Sequence, residues 1–176
     1  MDYGTLQNLD DGRWQLRFTR TLPHPLEKVW RAITEPEHLV HWFPTTIEGE
    51  RAPGAPLRFS FPSGKAPGFD GEMLAYEPNS AIEFRWGPDV LRMELRPEGD
   101  STVLTLLDTL ENRGKGARDG AGWHVCLDNL ARHLRGDQTE EAESTTAWQA
   151  VHPHYVDEFG PEAATIGPEE FSESER

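Results

Sequence analysis

The alternation of apolar and polar positions changes period three times along the chain. Residues 12–20, GRWQLRFTR, put Trp14, Leu16 and Phe18 on one parity and Gln15, Arg17 and Thr19 on the other, the period of a half-buried strand. The period then lengthens. Leu26, Val29, Trp30 and Ile33 fall at i, i+3, i+4 and i+7, which predicts a helix starting just after Pro25, whose fixed φ suits a first turn. Thr34 and Glu37 have the spacing of a capping box around Pro36, and Leu39, Trp42 and Phe43 form a second, shorter stripe that stops at Pro44.

From residue 46 to 110 the pattern returns to period two. Leu57, Phe59 and Phe61, then Ile82, Phe84 and Trp86, then Leu91, Met93 and Leu95 alternate with polar residues, and the runs are joined by PGAP, PSGKAPG, EPNS, GPD and PEGDS. Such turn chemistry between short alternating runs predicts an antiparallel meander. The run from Thr102 to Leu110 is ambiguous in facing, since Val103 and Leu107 lie on one parity and Leu104 and Leu106 on the other.

A glycine-rich stretch, NRGKGARDGAG, is expected to be a flexible connector into a long helix over 123–135, WHVCLDNLARHLR. There Trp123, Leu127, Leu130 and Leu134 form the apolar stripe, with Asp119 as the cap and Gly136 as the left-handed stop. Beyond it, STTAWQAV and HPHYVDEFGP each have the makings of one or two helical turns, while the remainder past Pro161 is too poor in apolar residues to order itself. The chain therefore divides into a domain over 12–136, an acidic extension over 137–160 with short helices packing on it, and a tail over 161–176 expected to be disordered.

Charge and cysteine usage narrow the function classes. The 176 residues carry a formal charge of -14, of which residues 137–176 contribute -10 from eleven acidic residues and one basic residue. So acidic a chain repels phosphate backbones and anionic lipid surfaces, which excludes nucleic acid as an expected partner. One cysteine, Cys126, cannot form an intrachain disulfide, the opening residues have no signal-like pattern, and no run of ~18 apolar residues occurs. A cytoplasmic location without membrane insertion is the expectation.

No complete catalytic constellation is present. The glycine-rich stretch matches neither phosphate-binding fingerprint. His38 and His41 share a helix face but lack the further ligands of a zinc site; they are read as solvated, as are His152 and His154 around Pro153. Cys126 and His124 are two apart on a helix and point in different directions, so the cysteine reads as a structural thiol. Asp108 continues the parity of Leu104 and Leu106. An exposed strand-end aspartate is the commoner outcome at such a position, an inward-pointing acid the other, and it is the one candidate for proton transfer. No cofactor or metal is expected. Aromatic weight stands out instead, with Trp30, Trp42, Phe43, Phe59, Phe61, Phe84, Trp86 and Trp123 on predicted inner faces. With Met73, Met93, Leu127 and Leu130 they are the residues expected to line an apolar cavity between sheet and helix.

Three stretches carry a family resemblance: PLEKVWRAITEPEHLVHWF at 25–43, GFDGEMLAYEPNSAIEFRW at 68–86, and STVLTLLDTL followed by GWHVCLDNLARHL at 122–134. They resemble the START/polyketide-cyclase/pollen-allergen (SRPBCC) superfamily, and within it the branch homologous to the activator of heat-shock-protein-90 ATPase. The resemblance implies an α+β helix-grip fold: a curved antiparallel sheet of about seven strands around a long C-terminal helix, with two short helices after the first strand. It also implies a cavity that holds a small hydrophobic or amphipathic molecule. The alternatives it leaves open are a co-chaperone-like domain whose partner is a chaperone or other protein, and an enzyme of polyketide cyclase or hydratase type.

Overall fold

The computed structural model describes residues 2–62, 64 and 66–167. Among them, eight strands form one curved antiparallel sheet: β1 (Thr5–Asn8), β2 (Trp14–Leu22), β3 (Thr46–Glu48), β4 (Pro56–Ser60), β5 (Phe69–Glu77), β6 (Ala81–Trp86), β7 (Asp89–Glu98) and β8 (Ser101–Leu110), in spatial order β1-β2-β8-β7-β6-β5-β4-β3. Two helices, α1 (Leu26–Thr34) and α2 (Pro36–Leu39), follow β2. The long helix α3 (Gly116–Leu134) lies against the inner face of the sheet, and α4 (Glu141–Phe159) packs on α3. This is the helix-grip architecture, with one strand more than expected, because β1 adds an edge to β2.

The inner face is built by the predicted parity. Leu16 and Phe18 from β2, Phe59 from β4, Met73 from β5, Phe84 from β6, Leu91 and Met93 from β7, and Leu104 and Leu106 from β8 are all buried. In β8 the even positions point inward, and Leu107 is left half-buried on the other face. The helix pair is closed by Trp42, whose indole N–H donates to the Ala32 carbonyl at 2.8 Å. The cap is not Thr34, whose hydroxyl donates to Trp30 O within α1; Glu35 caps α2, with Pro36 in its first turn.

Three expectations about the C-terminal half change. The glycine-rich stretch is helix, not connector: α3 begins at Gly116, and Asp119 lies in its first turn rather than at its cap. Glycine is a poor helix former in isolation, but here the missing side chains allow close approach. A Cβ on Gly120 would lie 3.2 Å from the Phe159 ring, and one on Gly116 3.2 Å from Ala163. The extension is a single helix running through Pro153 rather than two short ones, anchored on α3 by buried Val151 and Tyr155 on either side of the proline. Residues 161–167 are placed too, with a 3₁₀ turn at Pro161–Ala163, a fully buried Ala163, and Ile166 N–H donating to Gly114 O at 3.1 Å. The rest of the predicted disordered tail, 168–176, lies outside the described residues. Among the described residues no helix is long and apolar enough to cross a membrane.

Candidate functional site

The hairpin between β7 and β8 turns at Gly99, and its register sets Asp108 opposite Leu91. On its other side Asp108 pairs with Leu16 of β2. A carboxylic acid thus stands in the middle of an apolar row, 1% exposed, contrary to the exposed strand-end position that was the commoner expectation. Its Oδ2 accepts the Trp123 indole N–H at 2.9 Å, and its Oδ1 is buried with no hydrogen-bond partner among the described residues. Burial, reinforced by the neighbouring Asp89 and Asp119, raises its pKa well above the ordinary carboxylate range.

Two further aspartates reach the same point from different elements. Gly87, at φ +59°, opens the turn Gly87-Pro88 between β6 and β7, where a glycine relieves the strain of the left-handed region. That turn delivers Asp89 at the head of β7, 3% exposed. Its Oδ1 accepts from Lys115 Nζ at 2.7 Å and from Glu111 N–H at 2.9 Å. Asp119, on the first turn of α3, accepts from Arg118 Nε at 2.9 Å, and burial raises its pKa.

Above this group lies a hollow of about 630 Å³. Its apolar wall includes Phe61, Phe69, Trp86, Trp123 and, from α4, Trp148, while Asp89, Lys115, Arg118 and Asp119 supply its polar part. The rings are in mutual contact: the Trp86 centroid lies 4.9 Å from Phe69 and 5.9 Å from Trp123. Trp148 is positioned by its indole N–H on Arg118 O at 3.3 Å and by a stack on His152 at 4.3 Å. Cys126 also lines the hollow; burial pushes its thiol up to about 12, which leaves it inert rather than nucleophilic.

Of the twelve residues expected on a cavity wall, Phe61, Trp86 and Trp123 line this hollow. The other nine, Trp30, Trp42, Phe43, Phe59, Met73, Phe84, Met93, Leu127 and Leu130, belong to the continuous hydrophobic core. The space directly between sheet and α3 is filled by these side chains, and the hollow opens beside Trp123 and Cys126, on the neighbouring stripe of the helix. Asp89, Lys115, Arg118, Asp119 and Trp148 were not singled out from the sequence, because no fixed spacing links them. Hairpin arithmetic could have found Asp89, since a turn at Gly99-Asp100 puts it at the same end of the sheet as Asp108.

The remaining histidines sit elsewhere. His38 and His41 are not solitary solvated rings: His38 Nδ1 is 3.0 Å from His133 Nε2, and His41 stacks on His133 at 4.4 Å. His154 stacks on Tyr3 at 3.6 Å. His124 turns away from Cys126 and places Nδ1 2.7 Å from the Tyr155 hydroxyl.

Comparison with known proteins agrees with this architecture. CalU16 from Micromonospora echinospora superposes with a TM-score of 0.69 at 22% identity over 90% of this chain and 97% of that one. A Bordetella parapertussis protein, BPP1335, gives 0.66 at 25% identity over 88% and 90%. DynU16, a protein of the dynemicin biosynthetic locus, gives 0.63 at 30% identity over 70% of this chain and 48% of its own. No curated protein matches the sequence. The family profile "Activator of Hsp90 ATPase homolog 1-like protein" matches residues 23–135. With its eight-stranded grip on α3, the chain belongs to that family, within the SRPBCC superfamily.

Proposed function

We propose that this protein binds a small amphipathic molecule with a flat, ring-containing body in the hollow beside Trp123. The observation that carries the reading is the hollow itself. Its size falls within the ~300–1,000 Å³ typical of small-molecule sites, and it pairs an aromatic wall with a few convergent polar groups, as such sites do. The aromatic wall favours a ring-containing body over a fatty acid, and a similar protein's place in the dynemicin biosynthetic locus supports a product of biosynthesis as the ligand. Thermal shift and native mass spectrometry against anthraquinones, polyketides and fatty acids test this. A raised melting temperature with polycyclic compounds, lost in Trp148→Ala, is expected; no shift with any compound would overturn it.

A second reading, proton transfer of the cyclase type, is favoured by one specific feature: Asp108 is a buried acid, hydrogen-bonded to the Trp123 that lines the hollow, whose pKa burial raises, the direction of shift by which a carboxylic acid is tuned for proton transfer. Its test is turnover of an enolisable polyketide mimic by wild type and Asp108→Asn. The chaperone-partner reading rests on the family alone, and an ATPase assay with a bacterial homologue of that chaperone decides it.

A further inference from the structure

One carboxylate oxygen from each of Asp89, Asp108 and Asp119 lies within 4.8 Å of one from both of the others. The three come from a strand head, a strand interior and a helix start, so the fold and not local sequence gathers them. Each is oriented through a single oxygen: Asp89 by Lys115 and the Glu111 N–H, Asp108 by the Trp123 indole, Asp119 by Arg118. The other oxygen of Asp108, though fully enclosed, has no hydrogen-bond partner among the described residues. Among the described residues the three carboxyl groups face two cations, Lys115 and Arg118, so the third carboxyl is matched only by a bound proton or by a further cation, in a place where an uncompensated charge is costly. Another positive charge is called for, and the oxygens suit one of definite size. Oxygen ligands ~2.0–2.6 Å from a hard cation stand at most about 4–5 Å apart across it.

We propose that Asp89, Asp108 and Asp119 form a binding site for a divalent cation of the magnesium, manganese or calcium class at the floor of the hollow. Trp123, Lys115, Arg118 and the Glu111 N–H serve as the outer groups that hold ligand carboxylates in place. The ion takes Asp108 Oδ1 and completes its shell with water or a ligand oxygen from the hollow. The two nearby cations weaken the site, placing it in the ~10⁻⁴–10⁻³ M range of low-affinity calcium modules.

Terbium(III) luminescence on the full chain, excited through the tryptophans, tests the site without any organic ligand, because Trp123 touches the carboxylate that would hold the ion. The expected result is a saturable signal from one ion per chain, displaced by excess calcium and at least tenfold weaker in both Asp108→Asn and Asp119→Asn. Glu37→Gln, which alters the exposed group Glu35, Glu37 and His38, should leave it unchanged. Circular dichroism confirms that the variants fold, and Asp119→Asn, at a half-buried position, serves if Asp108→Asn does not. A non-saturating signal, or one indifferent to both aspartate variants, would mean that ions gather on the acidic surface and would overturn the site. So would a carbon-13 carboxyl spectrum of Asp108 that stays protonated under saturating magnesium and calcium, since a proton would then supply the missing charge. Either failure leaves binding of polycyclic compounds, measured separately, untouched.

Discussion

Trp123 and His124 are neighbours on α3, yet they serve two regions of opposite character. Consecutive helix residues point about 100° apart, so Trp123 reaches Asp108 and the hollow while His124 reaches α4 and the N-terminal segment. On the His124 side the Tyr155 hydroxyl accepts from Gly4 N–H at 2.9 Å. Burial pushes its pKa up to about 12, so it keeps its proton and donates it to His124 Nδ1, 2.7 Å away. That assignment leaves the His124 proton on Nε2, facing Asp128 Oδ2 at 3.5 Å, and Asp128 is in turn held by Arg20 at 2.7 Å. The Gly4 N–H, the Tyr155 hydroxyl and the Asp128 carboxylate there meet complementary groups, while His124 Nε2 and Arg20 Nε are buried with no hydrogen-bond partner among the described residues. None of these residues lines the hollow, and the region is structural. On the Trp123 side a buried carboxyl oxygen of Asp108 has no hydrogen-bond partner among the described residues, and a hollow lies beside the Trp123 that holds that carboxyl. What separates architecture from function here is the hollow, since both sides bury unsatisfied polar atoms and only one opens onto a space that a ligand could fill.

The largest expected effect lies between the two regions. Leu127→Ala and Leu130→Ala should each cost about 2–5 kcal/mol in urea unfolding, because both fill the core and leave a cavity when truncated. Neither lines the hollow, so ligand should not restore the loss; a Leu127→Ala defect rescued by ligand would move the binding site beneath the helix. Tyr155→Phe should cost about 1–3 kcal/mol by stranding Gly4 N–H and His124 Nδ1, with unchanged binding of polycyclic compounds. Altered binding would break the division between the regions. Trp123→Phe should likewise cost about 1–3 kcal/mol by stranding the buried Asp108 carboxyl, but it should also weaken ligand binding several-fold, which sets it apart from Tyr155→Phe.

The gentlest test is the slope of stability with pH, which has opposite signs on the two sides. Desolvation lowers the pKa of His124 from the ordinary 6.5, so its contribution is intact above that value. It is lost as pH falls through the window below, where the unfolded chain takes up a proton that the folded one refuses. Asp108 is raised from 3.8, so its contribution is intact below that value and lost as pH rises toward the folded pKa. Urea midpoints across this range should show a flattened acid limb in His124→Gln and a flattened opposing slope in Asp108→Asn. Identical profiles for the two variants would contradict the assignment.

How much of this was legible depends on whether the signal was local. The helix pair and the meander follow from periodicity alone, since Val29, Trp30 and Ile33 or Phe84 and Trp86 declare their faces within a few residues. β1 was invisible because TLQN, an edge strand with mostly exposed side chains, has no apolar alternation. The first two turns of α3 were hidden by glycines whose role is contact with Phe159 and Ala163, dozens of residues away. At the site, parity allowed Asp108 an inward direction but could not weigh an acid against its apolar row. Asp119 looked like a cap and Asp89 like a turn residue, because each does sit beside the start of an element. Only the register of three strands and the placement of α3 bring them together.

The hydrogen bond between Gly4 and Tyr155 spans 151 positions of chain, and that separation gives the molecule an order of assembly. During synthesis the β1 segment is made 151 residues before its partner hydroxyl. The sheet and α3 are complete in sequence while Gly4 and His124 still face water in place of Tyr155. Locking of the amino-terminal strand therefore waits for the carboxyl-terminal helix to clear the ribosome, so a nascent chain halted before Tyr155 holds the whole grip yet leaves that clasp undone.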